Sequence, residues 1–176
     1  MRREWSATLA VIAAALAVAA RAHAVPRAPD APSCTSAEHR EFDFFAGDWD
    51  AFDVADPSRA TARNHVTPML GGCALREVYE QRDGLSGESF STYDAVRRVW
   101  HQSWVTNRGQ LLLLEGRLEH GRMVLTATDR ASTGAPSLLR AVWYVVPDGV
   151  RETATRSTDG GRTWTPVFDI AFRPHR

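Results

Sequence analysis

From residue 44 onward the chain breaks into short runs rich in β-branched and aromatic residues, each ended by turn chemistry. The runs cover 44–54, 63–67, 74–81, 89–94, 99–106, 111–118, 123–129, 138–146, 150–157 and 163–172. Between them stand Asp56-Pro57, Gly71-Gly72, Asp83-Gly84, Asn107-Arg108-Gly109, His120-Gly121, Asp148-Gly149 and Asp159-Gly160-Gly161. Glycine takes positive φ without steric cost, and Asp or Asn side chains bond their own backbone, so each separator turns the chain back on itself. Short strands at this spacing leave a two-sheet sandwich or a closed up-and-down barrel. After residue 24 no segment carries a long stripe of helical period, and the one helical expectation is a turn at 36–40 capped by Ser36. The expected fold class is all-β, a single antiparallel up-and-down barrel of about ten strands.

Alternation sorts side chains onto faces. In run 138–146 one face carries Leu138, Arg140, Val142 and Tyr144, and the other carries Leu139, Ala141, Trp143 and Val145. In run 99–106 Trp100, Gln102 and Trp104 share a face, and in run 74–81 Glu77 lies with Leu75 and Tyr79. Both faces of several runs are apolar. That suits a small barrel with a mixed polar and aromatic lumen, and it suits a sandwich equally.

The first 24 residues read differently. Arg2 and Arg3 precede an apolar run at 7–20, followed by Ala22-His23-Ala24, a small-x-small cleavage site. This order predicts a secretory signal peptide over 1–24. The apolar run is too short to span ~30 Å of hydrocarbon comfortably. Residues 25–40 open as a Pro-rich leader, and 41–174 form the barrel domain. Past the cleavage site 18 basic residues face 20 acidic ones, and every basic residue is arginine. The arginines are scattered, so a nucleic-acid partner is not expected. Cys34 and Cys73 are an even pair in an exported chain, which favours a disulfide. The localisation expected is periplasmic or secreted, with no membrane span in the mature chain.

The domain opens with Phe42-Asp43-Phe44-Phe45-Ala46-Gly47-Asp48-Trp49-Asp50. Its Gly47-x-Trp49 resembles the G-x-W signature of lipocalins and other calycins. Further along stand Gly72-Cys73-Ala74-Leu75-Arg76-Glu77, Tyr93-Asp94, Trp100-His101-Gln102-Ser103-Trp104 and Ser157-Thr158-Asp159-Gly160-Gly161-Arg162-Thr163-Trp164. In this order they resemble a bacterial family of secreted calycin-like proteins known only as a domain of unknown function. The resemblance covers roughly residues 41–173. It implies a ten-stranded barrel related in shape to fatty-acid-binding proteins and haem-binding nitrobindins, with Trp49 plugging one end and Gly47 permitting close approach. It implies no activity.

Residues 157–164 also match the Asp-box of sialidase propellers, but one copy cannot build a propeller. Asp159, Gly160 and Gly161 instead predict a tight hairpin turn with Trp164 packed beneath. No cofactor is expected. A haem site would need a lumenal histidine near a C-terminal strand, for which His175 is the candidate by position and His101, which alternates away from Trp100 and Trp104, is the next. No metal-ligand spacing, nucleophile elbow or phosphate loop is present. Charges inside strands are more suggestive, because a charge facing a barrel interior is costly unless paired or bound to a ligand. Glu77 or Glu152 paired with Arg140 would make a pocket floor. The leading expectation is a non-enzymatic barrel holding a small hydrophobic or amphipathic ligand. Its candidate lining residues are Glu77, Trp100, Gln102, Trp104, Arg140, Tyr144 and Glu152. The alternatives are a filled, interaction-only barrel and a small enzyme using the Glu/Arg pocket.

Overall fold

The computed structural model describes residues 34–131 and 133–176. The segment expected to be a signal peptide and the first part of the expected Pro-rich leader lie outside these residues. Ten antiparallel strands follow in chain order: β1 Gly47–Asp53, β2 Ala62–Met69, β3 Ala74–Gln81, β4 Ser86–Asp94, β5 Val99–Thr106, β6 Leu111–Glu119, β7 Arg122–Arg130, β8 Pro136–Val146, β9 Gly149–Ser157 and β10 Thr165–Pro174. Each pairs with its sequence neighbour, and β1 also pairs with β10, which closes the barrel. Closure removes the exposed edges that a sandwich would have to protect, so the sandwich alternative falls. Among the described residues no helix is long and apolar enough to cross a membrane.

The alternation expected from sequence is carried around the ring. Inward positions such as Ala51, Val66, Leu75, Leu114, Leu125, Ala141 and Ala154 are buried, and their strand neighbours are more exposed. The base, where β1 begins, is closed by a plug. Residues Ala37–Arg40 and Asp43–Phe45 form two short 3-10 turns. They lay the fully buried Phe42 and Phe45 against Trp100, Trp143 and Phe172. Here the structure corrects the reading of a strand from residue 44. The chain tightens instead, with Phe45 N–H donating to Phe42 O and Ala46 N–H to Asp43 O. Ser36 precedes the first turn but does not cap its backbone; its hydroxyl bonds the buried His39 ring at 2.9 Å.

Trp49 completes the base, its indole N–H donating to Phe45 O at 3.0 Å. A Cβ on Gly47 would sit 2.5 Å from that indole ring. The glycine is therefore required by the tryptophan that follows it by two residues. Cys34 and Cys73 are joined in a disulfide. It ties the chain just before the plug to the end of the β2–β3 turn. Arg40 reinforces the tie by donating to Gly72 O and Cys34 O.

At the opposite end the 158–164 turn is a self-contained hydrogen-bond network. Asp159 accepts from the Ser157 and Thr163 hydroxyls and from the backbone N–H groups of Arg162 and Thr163. Those donors hold its carboxyl well below the usual range. Trp164 donates its indole N–H to Gly161 O. As expected from the turn chemistry, residues 157–164 make a local structure, and β10 starts only at Thr165.

Candidate functional site

Above the aromatic plug the barrel encloses a cavity of about 430 Å³ that opens toward the 158–164 end. Its walls are mostly apolar or aromatic: Tyr79, Trp104, Leu112, Leu114, Leu139 and Trp143. The rim carries Asp53, Gln81, Gln110, Arg156 and Phe168. The Trp104 ring occupies the space a side chain on Gly87 would need, since a Cβ there would meet it at 2.4 Å, so the missing side chain on β4 makes room for the β5 wall.

Two carboxyls enter this lumen. Glu77 lies directly across the β3–β4 ladder from Ser89, whose hydroxyl donates to Glu77 Oε2 at 2.7 Å. Asn64 Nδ2, from β2, donates to Oε1 at 3.0 Å. Gln102 Nε2 donates in turn to the Ser89 hydroxyl at 3.3 Å. Every dipole in this chain points its positive end toward Glu77, the arrangement an ionised carboxylate takes. Burial opposes that charge and outweighs the hydrogen bonds, so the Glu77 carboxyl is pushed up. The Asn64 amide oxygen is left buried and without a partner.

Glu152 faces Trp143 across the β8–β9 ladder. It is enclosed by protein, and the surface it retains looks into the cavity. Desolvation, and then the neighbouring Glu77 charge, push its carboxyl well above the ordinary value of 4.5. The Trp143 indole N–H offsets a little of this but does not reach hydrogen-bond geometry, and its Nε1 stays buried and unpaired. Tyr79 shares the same surroundings. Desolvation, with smaller contributions from Glu152 and Glu77, pushes its phenol up to about 12.

The residues expected from sequence fall into three places. Glu77, Gln102, Trp104 and Glu152 line the cavity. Trp100 is buried below it, in the base, edge-on to Phe42 and donating to Glu41 Oε2 at 3.1 Å. Arg140 and Tyr144 are corrected to the outer wall, because in β8 it is Leu139, Ala141 and Trp143 that turn inward. Outside, the Arg140 guanidinium lies 3.9 Å over the Trp164 ring, and Arg122 lies 4.5 Å over Tyr144. Arg140 therefore braces the 158–164 turn and neutralises neither lumenal glutamate. His101 is on the outer face with Glu115 and Ser103, and His175 pairs with Asp50. Sequence reasoning missed Asn64, Ser89 and Trp143 as lumenal groups, and period-two alternation from Glu77 and Gln102 would have reached the first two through the ladders.

An unpaired carboxyl in this setting has a measurable signature. With its folded-state value above its unfolded one, Glu152 binds its proton more tightly in the folded protein. The stability this supplies is full below about pH 4.5 and is lost as pH rises through the raised value. Glu152→Gln removes that dependence while keeping the shape. The variant is expected to gain on the parent as pH climbs above 4.5, by about 1–3 kcal/mol at alkaline pH. Thermal melts of both proteins from pH 4.5 to 8.5 check it. A variant that loses stability at pH 8 would mean that Glu152 has a stabilising partner.

No protein-family model matches the chain, and no curated protein matches it.

Proposed function

We propose that the protein is an exported barrel that binds a small amphipathic molecule in its lumen. The cavity carries this reading. Its volume of about 430 Å³ lies within the ~300–1,000 Å³ usual for small-molecule sites. A barrel serving only as an interaction surface would fill that space with side chains. Apolar and aromatic walls with a few polar groups at depth match what such sites use for affinity and orientation. The Cys34–Cys73 disulfide suits an oxidising compartment, and the closed ten-strand barrel is compatible with the secreted calycin-like family that the sequence resembles.

Native mass spectrometry of the protein secreted by its own host tests the proposal. A reproducible added mass is expected, and binding of that ligand should weaken about tenfold or more in Trp104→Ala, which removes one wall of the cavity. A bare mass, together with no thermal shift across a lipid and tetrapyrrole panel, would overturn it.

One observation favours a second reading, that of a small enzyme. A carboxyl in a cleft that holds its proton more tightly than usual is equipped to act as a general acid, and Glu152 meets that description. A compound that the parent consumes and Glu152→Gln merely binds would select this reading over a carrier.

A further inference from the structure

The lumen holds two glutamates and no free cation to pair with them among the described residues. Glu77 on β3 and Glu152 on β9 stand nearly opposite each other, since β2, β1 and β10 separate their strands around the ring. The groups facing them can be taken strand by strand. From β1 comes Asp53, at the rim, and from β2 the neutral Asn64. Strand β3 adds Tyr79, β5 adds Gln102, and β8 adds the Trp143 indole. Strand β9 contributes Arg156, the sole basic residue along the cavity wall among the described residues, and Asp129 on β7 enters only as the partner of that arginine.

Arg156 is already committed. Its guanidinium pairs with Asp129 at 2.8 Å and donates to Ser137 Oγ at 2.7 Å and to Arg130 O at 2.9 Å. Arg140, which the sequence offered as a counter-ion, lies on the outer wall. A buried carboxylate without a cation is costly unless a ligand supplies one. Tyr79, Trp104 and Trp143 add ring faces, which attract cations in desolvated sites.

We infer that the ligand is an amphipathic cation, an ammonium with an apolar tail whose head group sits between Glu77 and Glu152 against the aromatic walls. This rests on the small-molecule reading above. The tail runs along Leu112, Leu114 and Leu139 toward the rim.

Three probes of equal length and different charge test it: octylammonium, octanol and octanoate. Each is titrated against the full mature protein at about pH 7.5, with calorimetry and tryptophan fluorescence as readouts. Octylammonium is expected to bind about tenfold or more tighter than octanol, and octanoate most weakly. In Glu152→Gln the preference for the cation should shrink to about threefold or less while octanol affinity holds, because only the charge has gone. Glu77→Gln serves as the second variant, with a thermal melt to verify folding of each. The preference should also fade as pH is lowered and the carboxylates take up protons, and cation binding should release protons to the buffer.

Octanol binding as tightly as octylammonium, or a preference that survives both variants, would overturn the cation and leave the small-molecule reading standing. No binding by any of the three, or by their decyl counterparts, would overturn the small-molecule reading and the inference with it.

Discussion

Phe42→Ala is expected to destabilise the protein by about 3–5 kcal/mol, the range for deleting a buried aromatic ring. Phe42 is 0% exposed and touches four other rings: Phe44, Phe45, Trp100 and Trp143. It does not belong to a strand, so no backbone ladder holds its ring in place, and its packing adds to the disulfide and the Arg40 hydrogen bonds that tie down the chain around it. Aromatic contacts of this geometry add about 0.5–1.5 kcal/mol each beyond area burial. Neighbouring side chains can collapse into the gap only by giving up contacts of their own. Trp143 links the plug to the cavity, because its ring meets Phe42 and Phe45 below and lines the lumen beside Glu152 above. The variant should therefore show a red-shifted tryptophan emission and altered probe binding as well as a lower urea midpoint. A loss under about 1 kcal/mol would mean that the base collapses readily and that the plug is not a keystone.

The barrel was legible because turn residues and alternation are local properties. Strands β3 and β5 were bounded correctly from sequence, so parity alone grouped Glu77 with Leu75 and Tyr79, and Gln102 with Trp100 and Trp104. Parity does not say which side is inside. In β8 both faces are apolar enough to be buried, and the choice depends on neighbours several strands away. Arg140 and Tyr144 read as lumenal for that reason. Their apolar stems and rings are satisfied outside by stacking, Arg140 on Trp164 and Tyr144 under Arg122. Asn64 and Ser89 escaped notice because a short polar residue in a strand looks like a solvent-facing one. Only the ladders reveal that both aim at Glu77. The plug was hidden by its own composition, since 42–45 continues the aromatic pattern of β1 without a break, and tertiary packing turned it into a 3-10 bend.

The second large effect is expected at Cys34 and Cys73. Replacing both with serine should cost about 4 kcal/mol, because the bridge joins residues 39 apart in sequence and limits the unfolded chain. The folded state retains other ties at the same place. Arg40 still donates to Gly72 O and pairs with Asp43 at 3.3 Å, and Phe42 and Phe45 still fill the base. Most of the loss should therefore lie in the unfolded state. That has a diagnostic consequence: the denaturant slope m should rise in the double serine variant, since a chain freed of its cross-link exposes more surface on unfolding. If the bridge acted instead by pinning the plug, the slope would stay constant, and the cost would overlap with that of Phe42→Ala. A double-mutant cycle separates the two. Losses that add to within about 0.5 kcal/mol identify an unfolded-state effect. A combined loss well short of the sum would mean that bridge and plug act as one unit, and that the disulfide holds the base of the barrel shut.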